Sequence, residues 1–150
     1  MTSEKKSKLV KGAVITGMIN AVINGGIQYF LLKGHNRIPI SVDSITNTVE
    51  TVLGTAVMLA ITLSMILTLV AYFGIKGKKA PFFPTTIILV LKHGFVTFGI
   101  LTSLSVLWQK YMGTVEVSLV SGLIIIGVIA GIVSAFVNYF TLKESILSEE

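Results

Sequence analysis

Thr16, Asn20, Asn24 and Gln28 stand four residues apart within Gly12 to Leu32, a stretch that carries no charge. On a helix they share one face, drifting slowly round the axis over about 18 Å at 1.5 Å per residue. An unpaired carboxamide in hydrocarbon costs a few kcal/mol, so the stripe must meet partners or water. Two chemistries fit. The amides can act as hydrogen-bond glue, to hydroxyls of other helices or to the same helix of a second copy. They can also line a pathway or pocket, because an amide offers donor and acceptor without a charge that would trap a solute. Asn20, Asn24 and Gln28 are therefore candidate lining residues. Gly25 and Gly26 beside them suit close packing or a local loosening of the helix.

Lys92 and His93 are the strongly polar or titratable residues in the interior of an otherwise apolar run, Ala80 to Gln109. An ionisable side chain at depth is a functional candidate by default. Counted from Thr85, Lys92 lies about 10 Å in, within reach of a lysine stem that snorkels back to the interface. His93 points roughly 100° away, as a proton-sensitive group or a hydrogen-bonded core histidine. Both join the candidate lining set.

The carboxylates limit the chemistry. Asp43 falls in the first loop, Glu50 and Glu116 at the outer ends of the second and fourth apolar runs, and Glu4, Glu144, Glu149 and Glu150 in the tails. None falls in mid-membrane, which disfavours transport coupled through a buried acid and an intramembrane acid–base enzyme. His35 and Asp43 share a loop, but two ligands do not make a metal site. The chain has no Cys, and no phosphate loop, catalytic triad or metalloprotease motif occurs. The expectation is no enzyme, no metal and no cofactor.

These residues must be positioned by elements whose solvent is lipid. Of the 150 residues 53% are hydrophobic and 13% charged, with mean hydropathy +0.86; an ordinary soluble domain carries roughly 25% charged residues. The basic balance, +5, therefore does not point to nucleic acid. Gly12 to Leu32, Thr51 to Ile75 and Val117 to Leu142 are free of charge, and each clears the roughly 20 residues needed to cross hydrocarbon. With the Lys92-bearing run they predict four spans, about 9–32, 48–75, 84–108 and 117–142. Pro39, Pro81 and Pro84 fall between or at the ends of these runs. The first apolar run is too long for a signal core and is read as a retained helix.

Lysine and arginine set the orientation. Lys5, Lys6, Lys8, Lys11, Lys76, Lys78, Lys79 and Lys143 make eight on one side; Lys33, Arg37 and Lys110 make three on the other. Both termini are expected in the cytoplasm, in a cell-membrane protein. Small residues four apart, Gly127 and Gly131 on the fourth span and Ala56, Ala60, Ser64 and Thr68 on the second, predict close contact between those two helices, or a homodimer seam. Sliding the second span onto the fourth by 67 positions superposes Tyr72-Phe73 on Tyr139-Phe140 and Ala60 and Ser64 on Gly127 and Gly131. This makes two helical hairpins a candidate repeat.

The fold class expected is an all-α, single-domain four-helix transmembrane bundle, running up-down-up-down. The functional expectation is a small permease or channel-like protein for a small polar or amphipathic solute. The competing expectation is a non-transporting accessory or scaffold subunit. Its partners would be the bilayer and a second copy or a membrane complex, not nucleic acid.

Overall fold

The computed structural model describes residues 3–43, 48–77 and 79–147. Apolar side chains surround most of each helix rather than forming one stripe, the pattern of a helix that lies in lipid. Helix α1 (Ser3–Leu32) leads through a short strand β1 (Arg37–Pro39) to α2 (Val52–Gly74). A π-type turn, Phe82–Thr86, opens α3 (Ile87–Met112), and strand β2 (Glu116–Ser118) precedes α4 (Leu119–Leu147). Among the described residues four helices are long and apolar enough to cross a membrane. Val22, Phe83, Phe95 and Tyr111 are more than 70% exposed, and large apolar side chains bared at that density call for a bilayer.

The helix ends differ from the apolar runs for local reasons. Thr51 stops α2 at its start, its Oγ1 accepting from Gly54 N–H at 2.9 Å, so α2 begins at Val52 rather than 48. Helix α1 reaches back to Ser3 through the lysine-rich tail, with Lys8 Nζ 2.8 Å from Glu4 Oε1 one turn away. Helix α4 continues past Leu142, which puts Glu144 on a helix rather than in a tail. Lys78, Glu149 and Glu150 lie outside the described residues.

Two sets of contacts fix the topology. Strand β1 pairs antiparallel with β2, Ile38 opposite Val117, which brings the first and third loops to one end. Ile40 N–H donates to Val115 O (2.8 Å) and Leu53 N–H to Ile40 O (3.0 Å) at the same end. Beneath this ladder Leu32, Ile38, Val52 and Ile126 form a buried cluster. At the opposite end Ala80 N–H donates to Ser145 O (3.3 Å), tying the second loop to the end of α4. Successive helices therefore run in opposite directions.

Of the helices adjacent in sequence, only α2 and α3 pack extensively on each other. Helix α1 lies along α4, and α2 lies between α4 and α3. Helices α3 and α4 scarcely meet, and α1 has no comparable contact with α2 or α3. Neither hairpin closes on itself, so the arrangement is a row, α1-α4-α2-α3, rather than a ring of four.

The small-residue faces sort accordingly. A Cβ built on Gly17 would come 2.7 Å from Gly131 O and 3.0 Å from Ala135 Cβ; one on Gly127 would come 3.0 Å from Ala21 O. The Gly127–Gly131 face therefore packs on α1, not on α2 as expected. Its counterpart is Gly17, Ala21 and Gly25, again four apart, directly beside the amide stripe. On α2, Ala56, Ala60, Ser64 and Thr68 are buried almost completely, as are Ile126, Ala130, Ser134 and Val137 on a neighbouring face of α4.

Candidate functional site

The amide stripe is largely buried. Asn24 and Gln28 are buried and Asn20 half-buried on the side of α1 that carries Ala13 and Gly17. Asn20 Nδ2 donates to Thr16 O (2.9 Å) and Asn24 Nδ2 to Asn20 O (2.8 Å), so each amide places an N–H on the backbone of its own helix. The same economy recurs elsewhere: Thr62, Thr68 and Ser134 each donate to the carbonyl four residues back. Gln28 differs. It borders an open groove between the β-strand ends of α1 and α2, together with Glu50, Thr51, Thr55 and Thr62.

Lys92 and His93 are placed far from that groove. Lys92 Nζ lies 2.9 Å from Glu144 Oε1, both side chains about half exposed, and this ion pair bridges α3 and α4 at the second-loop end. Sequence reasoning placed Glu144 in a tail and so missed the partner. Its signal was weak, because nothing in the sequence shows that α4 extends so far.

His93 is buried. It sits at one end of a crevice of about 220 Å³ between α3 and α4, where those helices splay. Helix α3 lines it with Val96, Thr97, Ile100, Leu101 and Leu104, spaced three or four apart on one face, and α4 with Ile129, Ile132, Val133, Phe136 and Val137. From His93 to Leu104 the trough extends about 16 Å. Ile132 and Phe136 are more than half exposed at its rim, so it opens towards the surface that lipid covers.

The crevice exists because α3 is held to α2 instead. A Cβ on Gly94 would lie 3.3 Å from Met65 Cγ, and His93 Nδ1 lies 2.9 Å from Thr68 Oγ1. These contacts hold Gly94 and Nδ1 against α2 and leave the next face of α3 only loosely opposed by α4. An apolar trough with few polar groups suits a molecule that arrives from the bilayer.

The five candidate lining residues therefore do not share one site. His93 belongs to the crevice, Lys92 to the ion pair beyond its end, and Gln28 to the groove, while Asn20 and Asn24 belong to helix packing. The crevice walls were not legible beforehand, because isoleucine and valine at these spacings are common to every span. Among the described residues no group of three or more His, Asp or Glu side chains could hold a metal ion. Comparison with protein-family models, with curated proteins and with solved structures finds no match to this chain.

Proposed function

We propose that the chain is a small multi-pass permease for an amphipathic solute that enters laterally from the bilayer into the α3–α4 crevice. The observation that carries this reading is the crevice itself, an apolar trough open to lipid with a buried histidine at one end and an ion pair beyond it. A polar pathway along the amide stripe has less support, since Asn20 and Asn24 are engaged by their own backbone. The reading assigns no enzymatic role. By the lysine and arginine asymmetry, the second-loop end faces the cytoplasm of a cell membrane.

The test is flux in liposomes for a panel of amphipathic solutes, against empty liposomes. Uptake above background is expected, and Ile132→Trp, which fills the crevice at its exposed rim, should remove it while the protein still folds. Wild-type flux equal to that of empty liposomes sinks the permease reading. The accessory-subunit reading then follows, favoured by α1: it packs mainly on α4, and Val22, Phe30 and Leu31 stay more than 60% exposed. A stoichiometric partner in a detergent pull-down would support it.

A further inference from the structure

We infer that the α3–α4 crevice takes a single-chain anionic amphipath, a long-chain carboxylate, whose head lies between Lys92 and Lys143 at the second-loop end. The inference rests on the crevice being the ligand site proposed above and names the class of amphipath. The walls are apolar apart from His93 and Thr97, and no charged residue lines them. They stabilise an occupant chiefly by burying apolar surface, so what lies along them is hydrocarbon. The dimensions are those of one chain. A hydrocarbon core of about 30 Å is two chains laid end to end, and the trough, at about 16 Å, is one chain long. Its volume, about 220 Å³, is half again that of an apolar cavity of about 150 Å³ that holds one benzene. Spread over that length, the space is the width of a chain and too narrow for a second one.

Charge selects the head, because each rim of the trough leads to a lysine at the same end. On α3, Val96 is exposed at the rim, and Lys92 stands one turn before it on the same face. On α4, Phe136 is exposed at the rim, and Phe140 packs on it with ring centroids 4.3 Å apart. Lys143 Nζ in turn lies 5.9 Å from the Phe140 centroid. Glu144 offsets one of the two lysines through its ion pair with Lys92, so two positive charges and one negative leave this end positive. The second loop, tied to Ser145 through Ala80, adds Lys76 and Lys79 and no carboxylate. A carboxylate head is therefore attracted, an ammonium head is repelled, and an alcohol gains nothing from the charge. The lysine stems reach from the His93 end towards a head nearer the interface.

The test is photo-crosslinking of the full chain in phosphatidylcholine nanodiscs at pH 9, where a carboxylate in the membrane is ionised and lysine is still protonated. The probes share a twelve-carbon chain with a mid-chain diazirine and differ in the head: carboxylate, alcohol or trimethylammonium. A phosphatidylglycerol carrying the same chain is the two-chain control. After correction for partitioning into lipid, the carboxylate should label the α3 and α4 crevice peptides saturably, at about fivefold lower concentration than the alcohol or the cation. That factor is the scale of one lysine acting on an anionic head. Lys143→Gln should remove most of the preference, and Glu144→Gln should enlarge it. Ile132→Trp should abolish crevice labelling by every probe; should it fail to fold, the opposite shifts in Lys143→Gln and Glu144→Gln still decide. Equal labelling by the three heads overturns the anionic assignment, and phosphatidylglycerol labelling as well as the carboxylate overturns the single chain. No saturable labelling by any probe overturns the crevice itself. Selective labelling without flux supports this inference and sinks only the permease reading.

Discussion

Replacing Asn24 with leucine distinguishes the two uses of the amide stripe. Asn24 Nδ2 donates to its own helix, so Asn24→Leu removes one bond inside the membrane, about 1 kcal/mol, and forces a branched side chain into a buried position. The expected result is a lower melting temperature in detergent with flux per folded molecule unchanged. A collapse of flux at unchanged stability would restore the stripe as a pathway. The polar residues of the spans were legible in the sequence; their partners were not. Spacing by four placed Thr16, Asn20 and Asn24 on one face, and the same spacing lets each amide reach the carbonyl one turn back. Periodicity could not say whether that face met water. For His93 the deciding partner, Thr68, comes from another helix twenty-five residues away, and no local pattern announces it.

At the level of helices, the α1–α4 seam makes the sharpest prediction. Gly131→Leu adds side-chain atoms where even a Cβ would lie 3.0 Å from Ala21 Cβ and 3.1 Å from Gly17 O. Gly17→Leu meets Gly131 O more tightly still. Each should destabilise the protein by about 1 to 3 kcal/mol, the scale of overpacking, as read by thermal unfolding in detergent. Ile124→Leu should be nearly neutral, because Ile124 is 61% exposed; Ile125 is a poorer control, since it packs on the buried cluster around Ile126. Equal effects at all three positions would show that the seam is nothing special. The four helices were legible because an apolar run of this length has few alternatives, and so was a close contact at Gly127 and Gly131. The partner was misassigned. Ala13, Gly17, Ala21 and Gly25 carry the same small-residue spacing, but the polar residues one position before Gly17, Ala21 and Gly25, namely Thr16, Asn20 and Asn24, drew the functional reading to that side of α1.

For the molecule as a whole, the expected insertion can be read by labelling single cysteines with a membrane-impermeant thiol reagent in intact cells. Asn36→Cys and Thr114→Cys, both exposed beside the β1–β2 ladder, should label from outside. Lys76→Cys, exposed at the other end, should label only after permeabilisation. Lys76 is a better probe than its neighbour Gly77, whose φ of +97° would strain a side chain. Labelling of Lys76→Cys from outside would reverse the orientation drawn from the lysine count.

The pairing of α1 with α4 also has a consequence for how the chain is made. Gly17 and Gly131 meet in the folded protein but are 114 positions apart, the difference of their residue numbers. At a synthesis rate of about 5 to 20 residues per second, α1 waits roughly 6 to 23 s for its partner to be translated. During that interval its amides lie in the bilayer or the insertion machinery with no fourth helix to cover them. Donation from Asn20 and Asn24 to their own backbone is the form of satisfaction that is available from the moment α1 is helical. A photo-crosslinker at Ala21 in chains arrested before Leu119 should therefore capture lipid or insertion factors, and should switch to α4 only when the last helix has left the ribosome.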